Sequence, residues 1–139
     1  MLTPDVIYQL AVQAGFNDVI ATTMTAIALR ESGGDPNAFN NNVATGDESY
    51  GLWQINMLGP LGDERLKLLG LTSKSQLFDP LINAKSAFKL FNGTMLNLRI
   101  LWGVGPSMRS RSNIHLIEAY EHFLPVAQEA ALLNTGFRY

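Results

Sequence analysis

The 139-residue sequence contains no cysteine. That absence excludes disulfide frameworks, thiolate nucleophiles and zinc–thiolate sites. Two histidines, His115 and His122, are the soft metal ligands that remain. They read as solvated helix residues, so neither a metal nor a cofactor is expected. Long apolar runs are also missing. None approaches the roughly 18 residues a membrane span requires, and the first residues lack the basic-then-apolar layout of a signal peptide. We therefore expect no membrane span and no self-export. A dense basic patch is absent as well. The net charge is −2, with six acids and one base in residues 1–60 and nine bases and six acids in residues 61–139. Arg109 and Arg111 form the only tight basic pair outside the expected helices and read as a solvated loop, so a nucleic-acid partner is not expected. What is present is a hydrophobic fraction of 47%, enough for a chain of this length to bury about two-thirds of its unfolded surface. No repeat, low-complexity tract or linker interrupts it. Residues 1–139 are expected to be one mostly helical domain, and nothing calls for more than a monomer.

Start and stop signals mark most of the helices. Thr3, Pro4 and Asp5 open a helix that Gly15 closes. Asn17 and Asp18 open a second, which runs to Glu31 before Gly33, Gly34 and Pro36 stop it. The stretch 35–49 holds four asparagines and two aspartates and reads as a long loop with room for a short hairpin. Uncovered loops of that length are often functional. Residues 51–56 are too short for periodicity to classify, and we expect a short helix there. Further helices are expected over 60–69, over 81–91 behind Asp79 and Pro80, over 96–102, and over 114–133. The tail from Asn134 is expected to fray or to pack back through Phe137.

Register singles out one carboxylate. Ile20, Met24, Ile27 and Glu31 are spaced 4, 3 and 4, which places them on one helix face with Glu31 continuing the apolar stripe. A carboxylate there is partly desolvated and sits at the negative end of the helix dipole. Both effects disfavour its ionised form, as a general acid near neutral pH requires. From helix context alone, a glutamate that points to solvent or pairs with Arg30 is the more ordinary reading, and register makes Glu31 only a candidate.

Three strings around this residue form a pattern. The first is Ile27-Ala-Leu-Arg-Glu-Ser-Gly-Gly-Asp-Pro-Asn-Ala38, the second Ser49-Tyr-Gly-Leu-Trp-Gln-Ile-Asn-Met57, the third Leu77-Phe-Asp-Pro-Leu-Ile-Asn-Ala-Lys-Ser-Ala87. In this order and spacing they resemble the catalytic core of the lytic transglycosylase and goose-type lysozyme families, especially the virion-associated phage versions. The resemblance implies a lysozyme-like fold with a cleft beside the Glu31 helix. By the same resemblance Glu31 matches the sole catalytic carboxylate, Ser32 the hydroxyl that contacts the muramyl unit, and Gln54 the glutamine that bonds the sugar or the acid. Tyr50 and Met57 are expected either to wall the cleft or to join the core. Asn83 is expected to buttress helix packing, and Trp53, Leu52 and Ile55 to be core. The family's fourth motif, Ala-Tyr-x-Ala-Gly, is missing. Trp102, as a cleft or sugar-stacking residue, and Tyr120, as a partner of Glu31, are the candidates for its place.

The implied substrate is the peptidoglycan glycan strand. Cleaving its glycosidic bond needs a proton on the leaving oxygen and relief of oxocarbenium-like charge at the anomeric carbon. In the transglycosylase solution Glu31 serves as acid and then as base while the muramyl 6-hydroxyl closes a 1,6-anhydro ring. A hydrolytic muramidase would add a second carboxylate, for which Asp47 and Glu48 are the candidates. A non-catalytic structural module of a phage particle is the third reading. Without a signal peptide, access to the wall implies delivery by a phage virion, release at lysis, or partner tail or injection proteins.

Overall fold

A computed structural model describes residues 1–103 and 114–135. The structure is mostly helical, with a small antiparallel sheet set into it. Helix α1 (Pro4–Ala14) begins with proline in its first turn, where the missing N–H is no loss, and Gly15 closes it. Helix α2 (Asp18–Ser32) is capped by the Asn17 side chain, which accepts from the Ile20 amide, and ends on Gly33 in the left-handed region. A hairpin follows, β1 (Phe39–Asn42) pairing with β2 (Asp47–Tyr50), and β3 (Ile55–Asn56) adds a third strand beside β2. Helices α3 (Gly59–Leu69), α4 (Pro80–Phe91), α5 (Met95–Trp102) and α6 (Ile114–Thr135) complete the chain. Asp79 caps α4 by accepting from the Leu81 and Ile82 amides.

Burial follows the periodicity. Met24 and Ile27 of α2 are fully buried with Ile7 and Ala11 of α1, Ala84 and Ala87 of α4, and Leu98 of α5. Helix α6 packs across α1 and α2, with Ala127 and Ala130 buried. On the opposite side Phe16 meets Phe88 edge-on at a ring separation of 5.1 Å, a favoured aromatic geometry.

Two sequence expectations change. Residues 51–56 form a tight turn that runs into β3, not a short helix. The cause is long-range. Asn83 on α4 is fully buried; its Nδ2 donates to the Tyr50 and Leu77 carbonyls and its Oδ1 accepts from the Trp53 amide, each at 2.9 Å. Those bonds take the backbone groups that a helix over the same residues would have used. Gly51 makes this approach possible, because at φ 77° a Cβ there would collide with Asn83 Nδ2 and the Leu77 carbonyl. The second change is a short 3-10 helix, Lys74–Phe78, opened by a capping box of Ser73 and Gln76 that sequence reading overlooked. The loop with Gly105 and Pro106, the Arg109–Arg111 pair and Phe137 lie outside the described residues.

Candidate active site

Glu31 is the penultimate residue of α2, its side chain 26% exposed. Its Oε1 accepts from Arg30 Nη2 at 2.6 Å, while Oε2 takes no hydrogen bond among the described residues. The pairing with Arg30 is thus realised, and it leaves one carboxylate oxygen anchored and the other open. Arg30 is the deeper partner, only 4% exposed at its side chain. The same Nη2 also donates to the Trp102 carbonyl at 2.5 Å, the last residue of α5. One guanidinium therefore ties together the C-terminal ends of α2 and α5, where both helix dipoles are negative. Its Nε and Nη1 are buried without a partner among the described residues, an unusual cost for a structural arginine. Sequence reading noted Arg30 only as a neighbour of Glu31; nothing local reveals the contact with residue 102.

Ser32 is held inward. Its hydroxyl lies 3.0 Å from the Ala28 carbonyl and 2.8 Å from the Leu52 carbonyl, and it accepts from the Gly34 amide at 3.3 Å. It fastens the end of α2 to the 51–54 turn and so fixes where Glu31 stands relative to Gln54. Gln54 itself has φ 49°, a left-handed conformation that costs a non-glycine residue about 1–3 kcal/mol and tends to persist at functional positions. Its Nε2 donates to the Ala38 and Gly51 carbonyls. The amide oxygen takes no partner among the described residues.

Beside Gln54 opens a cleft of about 240 Å³ whose lining includes Asn56, Leu61, Arg65, Ile100 and Trp102. Trp102, expected as a cleft or sugar-stacking residue, lines the cleft from a buried position. It is 5% exposed, and its indole N–H donates to the Trp53 carbonyl at 2.9 Å. Trp53 is fully buried, its own indole N–H donating to the Met24 carbonyl. Met57, expected either in the cleft wall or in the core, is fully buried. Tyr50 is half-buried between Phe39 and Phe78, with ring separations of 5.0 and 5.4 Å, and its hydroxyl donates to Glu48 Oε2. Tyr120 is half-buried on α6 and packs against the core.

The two candidate second carboxylates, both on β2, are each engaged by neighbouring side chains. Glu48 accepts from Lys74 Nζ at 2.8 Å and from the Tyr50 hydroxyl at 3.1 Å. The Lys74 bond, helped by the Tyr50 hydroxyl and opposed by partial burial, holds its carboxyl below the usual range. Asp47 accepts from the Ser49 hydroxyl and from Asn40 Nδ2. Among the described residues no cluster of three or more His, Asp or Glu side chains is arranged to hold a metal ion, and no helix is long and apolar enough to cross a membrane.

The family described as a lysozyme-like domain matches residues 8–97. That span contains Glu31, Ser32, Gln54 and Asn83 as well as the whole sheet. No curated protein and no solved structure matches the chain. The protein therefore belongs to the lysozyme-like domain family, which makes the glycan of peptidoglycan its class of substrate.

Proposed function

We propose that the protein is a peptidoglycan lytic transglycosylase that cleaves the MurNAc–GlcNAc β-1,4 bond and leaves a 1,6-anhydro-muramyl end. Glu31 is its single acid and base. The observation that carries this reading is the contrast between the carboxylates: among the described residues Glu31 keeps Oε2 open and has no lysine on it, whereas both Asp47 oxygens are engaged in the hairpin and Glu48, though its Oε1 is open, is clasped at Oε2 by Lys74 and Tyr50, which hold it below its ordinary value and make it a weaker base.

Oε2 of Glu31 delivers a proton to the glycosidic oxygen as the bond from that oxygen to the anomeric carbon breaks. The resulting carboxylate then takes the proton from the muramyl 6-hydroxyl, whose oxygen bonds to the anomeric carbon. No water is consumed, and Glu31 ends protonated as it began. A hydrolase must instead activate a water through a second carboxylate placed about 6.5–9.5 Å from the acid. Access to the wall follows from delivery by a phage virion or release at lysis, with tail or injection proteins as the implied partners.

A digest of purified peptidoglycan, its products weighed by mass spectrometry, tests this. The expected products carry anhydro-muramyl ends, lighter by one water than hydrolysed ends. Reducing ends would move the reading to a muramidase, in which case Asp47→Asn should cost about a hundredfold or more in rate. No products at all would leave a structural module of a phage particle.

A further inference from the structure

Arg65 of α3 is the one cation among the residues lining the cleft beside Gln54, and that lining holds no carboxylate. The ion pairs among the described residues are Arg30–Glu31 and Lys74–Glu48, so Arg65 has no counter-ion there. It is not idle structurally: Nη1 donates to the Asn56 carbonyl at 2.8 Å, which fixes the guanidinium against the end of β3. Its other nitrogens make no hydrogen bond among the described residues. They are not sealed away either, since the partnerless buried side-chain nitrogens belong to Arg30 and Arg99. Burial pushes the Arg65 guanidinium below its usual range, the mark of a cation that the fold has partly stripped of water without giving it an anion. Asp63 and Glu64, its acidic neighbours on α3, are exposed and lie outside the cleft lining.

We infer that Arg65 is an anion subsite of the cleft, recognising a free carboxylate of the peptide stem carried by the muramyl unit. The inference rests on peptidoglycan being the substrate. A guanidinium with one N–H fixed and the rest of its fork open presents paired donors to the two oxygens of a carboxylate, which neither Gln54 nor Asn56 can do with charge. Leu61 and Ile100 border the same cleft; their apolar surface weakens competition from water and strengthens such a pair. The glycan would then be read twice, at the sugar by Gln54 and at the stem by Arg65.

The test is an NMR titration of the whole protein with N-acetylmuramyl-L-alanyl-D-glutamate and with the same compound after both its carboxylates are converted to amides. The acid form should bind about tenfold more tightly than the amide, the scale of a charged hydrogen-bonded contact. Arg65→Met should bring that ratio to about one. Arg65→Lys, which keeps the charge and loses the fork, should give an intermediate ratio and serves if the methionine variant does not fold. Equal binding of the two forms by the unaltered protein, or a ratio unchanged in both variants, overturns the inference. The peptidoglycan digest separates the two readings. Anhydro products with equal binding sink the subsite alone, whereas a binding preference with no cleavage of any strand sinks the proposed activity alone.

Discussion

At the scale of single residues, the arrangement turns on which oxygen of Glu31 is free. Arg30 fixes Oε1, so the proton passes through Oε2, and Glu31→Gln should remove the exchangeable proton while keeping nearly the same shape. Turnover is expected to fall by about 10²–10⁴-fold with the melting temperature close to that of the parent. Retained activity would take Glu31 out of the mechanism. Arg30 is expected to act through Glu31 and is therefore a positioning residue. Arg30→Met fills the buried channel of the side chain but frees the carboxylate, and small misplacements of a reacting group can cost up to about a hundredfold. We expect kcat to fall at least tenfold with KM nearly unchanged. Stability should move little, because the lost pair is offset by removing a buried cation whose Nε and Nη1 have no partner among the described residues. An unchanged kcat would reduce Arg30 to packing. The place of Glu31 at the end of α2 was legible in the sequence through register and helix breakers, while Ser32 beside it was singled out by the motif alone. Arg30's second contact was not, since residue 102 lies 72 positions away.

At the scale of elements, caps and breakers were readable wherever the structure is local. Gly15, Asn17, Asp79 and Pro80 each stand at the helix boundary their chemistry favours. The 51–56 segment was misread because its conformation is imposed by Asn83, about 30 residues further along, and the conformational freedom that admits Asn83 is a property of Gly51 alone. The hairpin carries a pH dependence of its own. Glu48 lies below its ordinary value of 4.5, so its contribution to stability is complete above that value and is lost as pH falls through the lower, folded one. Lys74 lies above its ordinary 10.5, chiefly through the bond to Glu48, so its contribution is complete below 10.5 and is lost as pH rises through the folded value. Between these limits the clasp from β2 to the 3-10 helix is closed. Following the Glu48 side-chain carbon by NMR should give an acid midpoint below 4.5 in the parent. In Lys74→Met the midpoint should move up toward the ordinary value, and an unmoved midpoint would show that the ion pair does not set it.

At the scale of the molecule, the matched family span ends at residue 97, yet the helix that covers α2 lies beyond it. Helix α6 packs on both α1 and α2; Tyr120 and Phe123 pack against the core half-buried, and among the described residues its fully buried side chains are small, Ala127 at 0% and Ala130 at 3% exposure. Alanines three apart on one face let two helices come close without interdigitating large side chains. In the sequence the same residues look like ordinary helix formers, and only the fold shows that they are the ones α6 buries. Ala127→Leu therefore inserts volume where there is none to spare, an overpacking that costs about 1–3 kcal/mol. For a chain of this size that is a fall in melting temperature of roughly 2–12 °C, read by calorimetry. Gln128→Leu, one position along on the exposed side, should leave the melt within about 0.5 kcal/mol of the parent. The strain of Ala127→Leu falls on α2 as well, so the rate of glycan cleavage should drop in the folded variant while Gln128→Leu cleaves normally. If both variants melt and cleave like the parent, α6 is a detachable cover, and the placement of Glu31 is fixed by Ser32, Arg30 and the turn held by Asn83 without it.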